Sequence, residues 1–347
     1  MVTKINQPAW NNLAFLRRVL SIFALTVLAV TLAGEFVARS PLGAGLPAPS
    51  LNAESFLLDK KIYGLESQIR RDGRVDCLFV GSSVTNTDID PAIIERIYRE
   101  QTGQSIHCYN LGIPLMSGHN TAAFSRALIQ RFHPKVIFYI LLARDVSAGE
   151  SNADAIERSA WMQENLGKRS LQGWALNNSY TFRYYLTWRY WLNIQNRGPM
   201  LNPLSEVTAK GFEPRFGFNT PYPSAPPTTT SELGQVWSDD DSLQNAAAFL
   251  GLQNKNVRVV LIEGPQYRDP SADLARDPYW RAYETGYFLP LEKIAVLKNT
   301  PFWRTDKISL LIPKSNWYDF IHLNESGAIT FSEWLGAQIA QNAWLFK

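Results

Sequence analysis

The sequence has 347 residues, of which 46% are hydrophobic and 19% are charged. This composition is typical of a folded globular protein and excludes a disordered chain. The net charge is only +3 at pH 7, and no run of lysine and arginine is longer than two residues. Because nucleic-acid-binding domains carry basic clusters, we expect no nucleic-acid partner.

An apolar segment lies near the N-terminus, at residues 19–38. Its roughly 20 residues are enough to cross the core of a bilayer. A cleaved signal peptide is the alternative, but the apolar run is slightly long for one and no Ala-x-Ala site follows it. Lys4, Arg17 and Arg18 precede the segment, whereas only one basic residue, Arg39, follows it closely. The positive-inside rule therefore predicts a single-pass anchor with a cytoplasmic N-terminus and an extracytoplasmic, periplasmic remainder.

After residues 1–38, the segment 39–73 begins with a stretch rich in Pro, Gly, Ala and Ser, and it predicts a spacer. The chain 74–347 then alternates between apolar runs and helical patterns. The predicted strands are 74–80, 105–111, 135–142, 257–262 and 308–312, and the predicted helices include one opening at Asp90-Pro91, then 120–132, 240–252 and 325–343. Such alternation predicts a doubly wound α/β domain with a mostly parallel, five-stranded sheet.

The alternation breaks in an insert at about residues 146–234. Within it, Tyr180, Tyr184, Trp188 and Trp191 fall at helical spacing, with arginines between them. Three interpretations stay open: an aromatic helix packed on the sheet, a membrane-interface helix, and a surface that stacks on sugars.

The two cysteines, Cys77 and Cys108, lie in apolar runs and fit no metal-ligand spacing. They predict buried thiols, with a bridge between neighbouring strands as the alternative. No second histidine or carboxylate cluster offers metal-ligand spacing either, so we predict neither a metal nor another cofactor.

Polar residues follow the predicted strands, at the edge where ligands bind in doubly wound sheets. They are Gly81, Ser82 and Ser83 after the first strand, Asn110 and Gly112 after the second, Arg144 and Asp145 after the third, and Asp319 and His322 after the fifth. The set contains a nucleophile, a base, a carboxylate and oxyanion donors, which predicts acyl-transfer chemistry.

A serine hydroxyl needs an adjacent imidazole to take its proton. Among the four histidines, His107 and His133 lie away from the predicted edge, and His119 is a weaker candidate. His322 lies three residues after Asp319, so one turn places both side chains together. The carboxylate would then fix the imidazole tautomer.

Three short motifs resemble blocks I, II and V of the SGNH/GDSL hydrolases. They are GSSV at 81–84, NLG at 110–112 and DFIH at 319–322, and they occur in the family's order. The resemblance covers roughly residues 74–145 and 257–343. It implies an SGNH-like, flavodoxin-like fold.

The resemblance also implies roles for individual residues. Ser83 would be the nucleophile, and Asp319 and His322 would complete the triad. The amides of Ser83 and Gly112, with a side chain after the third strand, would form the oxyanion hole. Asn110 and Asp145, at the same strand ends, are predicted to contact the substrate.

The sequence departs from the family pattern in two places. Ser82 stands where the first block usually has Asp, and Leu142–Asp145 stands where the third block usually reads Gly-x-Asn-Asp. Arg144 therefore occupies the position of the oxyanion-binding Asn. A guanidinium can donate to an oxyanion, or it can pair with Asp145 as a structural ion pair, and both interpretations stay open.

The Gly-Ser-Ser motif on a chain with one N-terminal span is similar to the D-alanyl transfer protein and to alginate-type O-acetyltransferases. The similarity implies extracytoplasmic esterase or O-acyltransferase activity on acyl groups of an envelope glycan or exopolysaccharide, often beside a multispanning O-acyltransferase. The alternative is a non-catalytic SGNH-like partner of such an enzyme. A sugar-binding module is a weaker hypothesis, because it leaves the Asp319–His322 spacing unexplained.

Overall fold

The computed structural model describes residues 9–40, 46–147, 154–192, 207–217, 226, 229–236 and 240–347. Lys4 and parts of the predicted insert, at 148–153, 193–206 and 218–225, lie outside these residues. The strands are β1 (Cys77–Gly81), β2 (Cys108–Gly112), β3 (Val136–Leu141), β4 (Arg258–Glu263) and β5 (Phe302–Trp303). The helices up to β4 are α1 (Ala9–Arg39), α2 (Phe56–Asp72), α3 (Ser83–Asp88), α4 (Pro91–Thr102), α5 (Gly118–Phe132), α6 (Ala143–Ser147), α7 (Asp154–Arg158), α8 (Ala160–Asn165), α9 (Leu171–Asn178), α10 (Tyr180–Trp191), α11 (Thr230–Gln235) and α12 (Asp240–Leu250). After β4 come α13 (Pro278–Ala282), a π-helical turn (Tyr283–Phe288), α14 (Leu289–Leu297), α15 (Asp306–Leu311), a 3-10 turn (Lys314–Asn316), α16 (Glu325–Gln341) and a last 3-10 turn (Ala343–Phe346).

The five strands form one parallel sheet in the order β2-β1-β3-β4-β5. Every residue of β1, β2 and β3 is buried, as expected for strands that are covered on both faces. Helix α4 packs against α16, and α5 packs against α12. Right-handed crossovers on either side of β1 place these two pairs on opposite faces of the sheet. The predicted doubly wound α/β fold with five parallel strands is confirmed.

The fifth strand is not where the sequence analysis places it. Residues 308–312 were predicted as a strand, but Asp306–Leu311 is a helix, and the fifth strand is the two-residue β5. Ile308 and Ile312 are buried, four residues apart, whereas Leu311 is exposed, which is a helical face. A short apolar run does not distinguish a strand from a helix, and here tertiary packing decides.

The two cysteines form a disulfide between neighbouring strands. Cys77 and Cys108 are the first residues of β1 and β2, and they lie opposite each other in the parallel register. This register brings their Cα atoms to 4.6 Å, which is within the range that a disulfide spans. The expectation of buried thiols is therefore wrong, and the alternative of a bridge is correct.

Helix α2 lies within residues 39–73, for which the sequence analysis predicts a spacer. Its N-cap Ser55 accepts a hydrogen bond from the Leu58 amide, and it ends at Gly73 in the left-handed conformation. Leu58, Ile62 and Leu65 form a fully buried face at helical spacing. In the structure, residues 56–72 are thus part of the packed domain.

Helix α1 contains the candidate membrane span at Leu13–Arg39, the one such helix among the described residues. Its apolar side chains between residues 13 and 32 are largely exposed, so they do not contribute to the core of the domain. The predicted aromatic helix is α10, which packs against α1 and α9.

Candidate active site

Ser83 is the first residue of α3 and follows β1 through a tight turn at Gly81. Gly81 has φ +146°, and a Cβ there would lie 2.5 Å from the carbonyl oxygen of Ile140 in β3. Only glycine fits this conformation and this close approach. The turn therefore fixes Ser83 at the carboxyl edge of the sheet.

Three of the predicted residues form a continuous series of hydrogen bonds. His322 Nε2 lies 2.8 Å from Ser83 Oγ, and His322 Nδ1 lies 2.8 Å from Asp319 Oδ2. Ser83 and His322 are 239 residues apart in the chain, so the fold brings them together. A proton on Nδ1, donated to Asp319, leaves Nε2 as the acceptor for the serine hydroxyl.

The loop that carries the histidine is held by its own aspartate and by α3. Asp319 Oδ1 accepts hydrogen bonds from the amides of Ile321 (2.9 Å) and His322 (2.8 Å). The next amide, of Leu323, donates to Asp88 Oδ1 at 3.1 Å, and Asp88 is the last residue of α3. The helix that begins with Ser83 thus also positions the loop that carries His322.

Electrostatics keep the imidazole neutral and the carboxylate charged. Burial lowers the pKa of His322; the bond to Asp319 opposes this, whereas the cationic Arg215 and Arg144 add to it. Burial alone would raise the pKa of Asp319, but its hydrogen bond and charge interaction with His322 and two backbone amides hold the pKa below its usual range. A neutral imidazole beside a carboxylate is the state that a general base requires.

Arg144, in α6 shortly after the end of β3, contacts Ser83 directly. Its Nη2 lies 3.3 Å from Ser83 Oγ, and its Nε lies 3.6 Å from Asp145 Oδ1. The two interpretations that the sequence left open for Arg144 are therefore both represented in the geometry. The guanidinium reaches the Ser83 hydroxyl, and it also pairs with the neighbouring carboxylate, so the oxyanion role of Arg144 stays a prediction.

Asp145 faces the protein rather than a substrate. It is 5% exposed, and its Oδ2 accepts hydrogen bonds from Ser82 Oγ and the Leu142 amide, both at 3.1 Å. Burial raises the pKa of Asp145 to about 6, although Arg144 opposes this. The predicted substrate contact at Asp145 does not agree with this geometry, because the carboxylate is already engaged within the protein.

Asn110 and Gly112 are also engaged within the protein. Asn110 is fully buried, and its Nδ2 donates to the carbonyls of Thr85 (2.6 Å) and Ile89 (2.7 Å). Its Oδ1 accepts a hydrogen bond from the Gly112 amide at 2.9 Å. The structure thus places neither the predicted substrate contact of Asn110 nor the predicted oxyanion donor of Gly112 at Ser83, because the strand end uses both groups to hold α3.

Two charged residues near the site are not predicted from the sequence. Lys61 in α2 is fully buried and donates from Nζ to the Gly112 carbonyl at 2.8 Å; burial lowers its pKa to about 7. Arg215, from the predicted insert, lies over the ring of Tyr318 at 4.9 Å, and its charge acts on His322. Neither residue lies in a motif or at a strand end, so no sequence signal pointed to them.

In the part of the chain that the structure describes, no three His, Cys, Asp or Glu side chains lie close enough to hold a metal ion. His119 points to Glu157, and His107 points to Asp72. Neither of these two histidines is bonded to Ser83 or Asp319 in the described part of the chain.

No protein-family model matches the chain, and no curated protein matches it. Several solved structures are similar to it at low identity. A gut microbial diltiazem-metabolizing enzyme, BT4096, shares 12% identity at a TM-score of 0.38, over 76% of this chain and 47% of that one. An aryl esterase of M. smegmatis shares 9% identity at a TM-score of 0.36, over 77% of this chain and 99% of that one. A GDSL-like lipase from Parabacteroides merdae shares 15% identity at a TM-score of 0.34, over 77% of this chain and 96% of that one. A likeness at this level says nothing about the activity of this chain.

Proposed function

We propose that this chain is an SGNH/GDSL-type serine esterase or O-acyltransferase that forms an acyl-enzyme at Ser83. The observation that carries the proposal is the series of 2.8 Å hydrogen bonds from Ser83 through His322 to Asp319. The same three residue types in the same mutual arrangement activate serine nucleophiles on several unrelated folds.

In the first half-reaction, His322 Nε2 takes the proton of Ser83 Oγ while Oγ bonds to the carbonyl carbon of an ester. The carbonyl electron pair moves to oxygen, and the tetrahedral intermediate carries one negative charge. Asp319 stabilises the imidazolium, which then returns its proton to the departing alcohol. In the second half-reaction the same imidazole takes the proton of the acceptor hydroxyl while its oxygen bonds to the acyl carbon, and the imidazolium then returns this proton to Ser83 Oγ as the bond between Oγ and the acyl carbon breaks.

The oxyanion in this proposal is bound by the Ser83 amide and by Arg144. Among the residues that the structure describes, no acceptor is bonded to the Ser83 amide. The Arg144 guanidinium lies 3.3 Å from Ser83 Oγ, which is within reach of the carbonyl oxygen of an ester that bonds to Oγ. The Gly112 amide has no part in this arrangement, because it is bonded to Asn110. A charged donor would thus replace the usual neutral ones.

We place the catalytic domain, from residue 56 onward, outside the cytoplasm. Two basic residues, Arg17 and Arg18, precede the most apolar part of α1, which favours a cytoplasmic N-terminus. The Cys77–Cys108 disulfide favours an oxidising compartment, where such bonds persist. The acyl donor or acceptor would then be an envelope glycan or exopolysaccharide, and a multispanning O-acyltransferase would be the natural source of acyl groups.

The first test compares Ser83→Ala with the wild-type full chain in detergent, using p-nitrophenyl acetate as the substrate. We expect turnover to fall to the background rate, because no other group replaces the nucleophile. Ser326→Ala, at an exposed serine of α16, is the matched control and should retain full activity. Unchanged turnover in Ser83→Ala would contradict the assignment.

Hydrolysis and transfer differ in the acceptor. Incubation of the full chain with an acetyl donor and a deacetylated polysaccharide separates them: a transferase acetylates the polysaccharide, whereas an esterase releases only acetate. Mass spectrometry of the polysaccharide and an assay of free acetate read out both products in one reaction.

A non-catalytic partner of a membrane acyltransferase is the second candidate. The occupied Gly112 amide favours it, since the site then lacks one of the usual oxyanion donors. A fluorophosphonate probe distinguishes the two, because it labels an activated serine and needs no natural substrate. Labelling of the wild type but not of Ser83→Ala supports an enzyme, and no labelling of either supports the partner role.

A further inference from the structure

The C-terminal end of α1 is bound to the N-terminus of α10 by specific contacts. Glu35 Oε1 accepts hydrogen bonds from Ser179 Oγ (2.7 Å) and the Thr181 amide (2.9 Å). Thr181 Oγ1 donates to the carbonyl of Thr31 at 3.1 Å. At Gly34 a Cβ would lie 2.6 Å from Thr181 Oγ1, so the two helices approach closely. The candidate membrane helix is therefore docked on α10.

Helix α10 is joined in turn to the α/β domain. Arg183 in α10 is buried and forms hydrogen bonds of 2.7 and 3.0 Å with both carboxylate oxygens of Glu66 in α2. Helix α2 packs beside β2, where Gln68 Nε2 donates to the Cys108 carbonyl at 3.4 Å. A buried, bidentate ion pair of this kind fixes geometry. Helices α1, α10 and α2 thus form a continuous connection to the β2 edge of the sheet.

The face of α10 that points away from the domain is exposed and aromatic. Tyr185, Trp188 and Leu192 are 55%, 58% and 53% exposed, and together with the exposed Arg189 they fall at positions i, i+3, i+4 and i+7. This spacing is one helical stripe. In an ordinary surface helix the exposed stripe is polar, so the pattern of α10 is inverted.

The exposed apolar surface continues onto the preceding helix, α9. In α9, Leu171 is 83% exposed and Trp174 is 58% exposed. Lys168 and Arg169, which precede the N-cap of this helix, are exposed as well. Tryptophan, tyrosine and leucine interspersed with lysine and arginine is the composition of the membrane–water interface. The contacts of α1 with α10 make this patch continuous with a helix whose own surface is apolar.

We propose that this surface, the α9–α10 patch (Leu171, Trp174, Tyr185, Trp188 and Leu192), lies in the headgroup layer of the bilayer that α1 crosses. The proposal rests on α1 spanning the membrane and is independent of the chemistry at Ser83. A helix rises 1.5 Å per residue, so about 20 residues cross the hydrocarbon core of about 30 Å. If this core begins after Arg18, the helix leaves it near Ala38. Thr31 and Glu35, which hold α10, then lie within about 10 Å of the outer boundary, the depth at which interfacial helices bind.

The test uses the full chain in vesicles of phosphatidylcholine and phosphatidylglycerol, with one fluorescent NBD label per molecule. Because both native cysteines are in the disulfide, an introduced cysteine is the only reactive thiol. The label is placed by Phe23→Cys in α1, by Trp188→Cys in α10, or by Leu311→Cys. Leu311 is 74% exposed and follows β5, the sheet edge opposite to β2, so it is the matched control.

Quenching by lipids with a doxyl group at carbon 5 or carbon 12 then reports depth. We expect the Phe23 position to be quenched most by the deep quencher, the Trp188 position most by the shallow one, and the Leu311 position by neither. All three side chains are exposed, so the variants should fold, and retention of the disulfide and of the melting temperature checks this.

A label at Trp188→Cys that behaves like the one at Leu311→Cys would overturn the proposal. That outcome would be expected if a protein partner covers the patch, because the vesicles contain no partner. An unquenched label at Phe23→Cys would also overturn it, since α1 would then not span the bilayer. Neither result depends on the esterase assay, so this proposal and the proposed function fail separately.

Discussion

Replacement of Arg144 by glutamine tests whether its guanidinium binds the oxyanion. Its Nη2 lies 3.3 Å from Ser83 Oγ, and two unit charges about 4 Å apart interact by about 4 kcal/mol at an effective dielectric constant of about 20. The side chain is 34% exposed, so solvent screens part of this interaction. Loss of one oxyanion donor typically lowers kcat by about 10²–10³-fold. We therefore expect Arg144→Gln to lower kcat by about 100-fold, or about 2.7 kcal/mol, with little change in KM.

The assay is hydrolysis of p-nitrophenyl acetate between pH 4.5 and 8. Activity requires neutral His322, so kcat/KM rises with pH through the pKa of this residue, which burial and nearby cations lower below 6.5. Removal of the Arg144 charge takes away one of these cations and raises the pKa. The ascending limb of the pH profile, where kcat/KM rises with pH, should therefore move to higher pH in Arg144→Gln. Arg96→Gln is the control, because it removes a charge on the exposed face of α4, away from the site. This variant should change neither kcat nor the pH profile of kcat/KM.

A purely structural role for Arg144 gives a different result. If the guanidinium only pairs with Asp145, the variant should melt at a lower temperature while kcat per folded molecule at high pH stays unchanged; the rise of activity with pH moves in both cases, because the charge of Arg144 acts on His322. That combination would refute the oxyanion assignment. Arg144→Lys sharpens the comparison, because it keeps the charge but loses the planar fork, and it should recover part of kcat.

Three further changes follow from the geometry of the site. Asp319→Asn should lower kcat on the order of 10³–10⁴-fold and move the ascending limb to lower pH, because the group that raises the pKa of the histidine is gone. Gly112→Ala would place a Cβ 2.3 Å from the Asn86 amide in α3, and it should lower the free energy of unfolding by about 1–3 kcal/mol in a thermal melt. Ser82→Asp would set a second carboxylate beside Asp145, whose pKa is already about 6, and should lower the melting temperature more above pH 6 than below it. Equal melting temperatures of that variant and the wild type at pH 8 would contradict this picture.

The sheet could be predicted because its strands are buried on both faces. A run such as KVIFYILL has no polar alternation, which is typical of a parallel strand covered on both faces, and its β-branched and aromatic residues favour a strand over a helix. The fifth strand could not be predicted from the same signal. Strand β5 has two residues, and the more apolar run after it has one helical face buried, so local composition favoured the wrong segment.

Helix α2 was hidden for a different reason. The segment before it is rich in Pro, Gly, Ala and Ser, which predicts a spacer, and its buried Lys61 is a residue type that is rarely found in a core. The lysine is tolerated because Nζ donates to the carbonyl of Gly112 and to Asn110 Oδ1. Such partners come from distant strands and have no local signature.

The triad could be predicted because its chemistry constrains residue type, order and position together. Ser83 must follow a strand, and Asp319 must lie one turn before His322, so the sequence pattern carries the geometry. Oxyanion donors carry no such constraint when they are backbone amides. Whether the Gly112 amide points at Ser83 or at Asn110 depends on a local conformation that any sequence with glycine there can adopt.

The two departures from the family pattern are coupled in the structure. Ser82 stands where the family has an aspartate, and its hydroxyl donates to Asp145 Oδ2 at 3.1 Å. Asp145 in turn holds Arg144, through a 3.6 Å approach to Nε, in a position where Nη2 reaches Ser83. The family pattern has an aspartate at position 145 as well, so the departure from it lies in the hydroxyl contact from Ser82 and in the guanidinium that Asp145 orients, which stands where an asparagine is expected. In the proposed mechanism the two departures would therefore act together on the oxyanion site, where a guanidinium positioned by Asp145 takes the place of the expected asparagine amide beside the Ser83 amide.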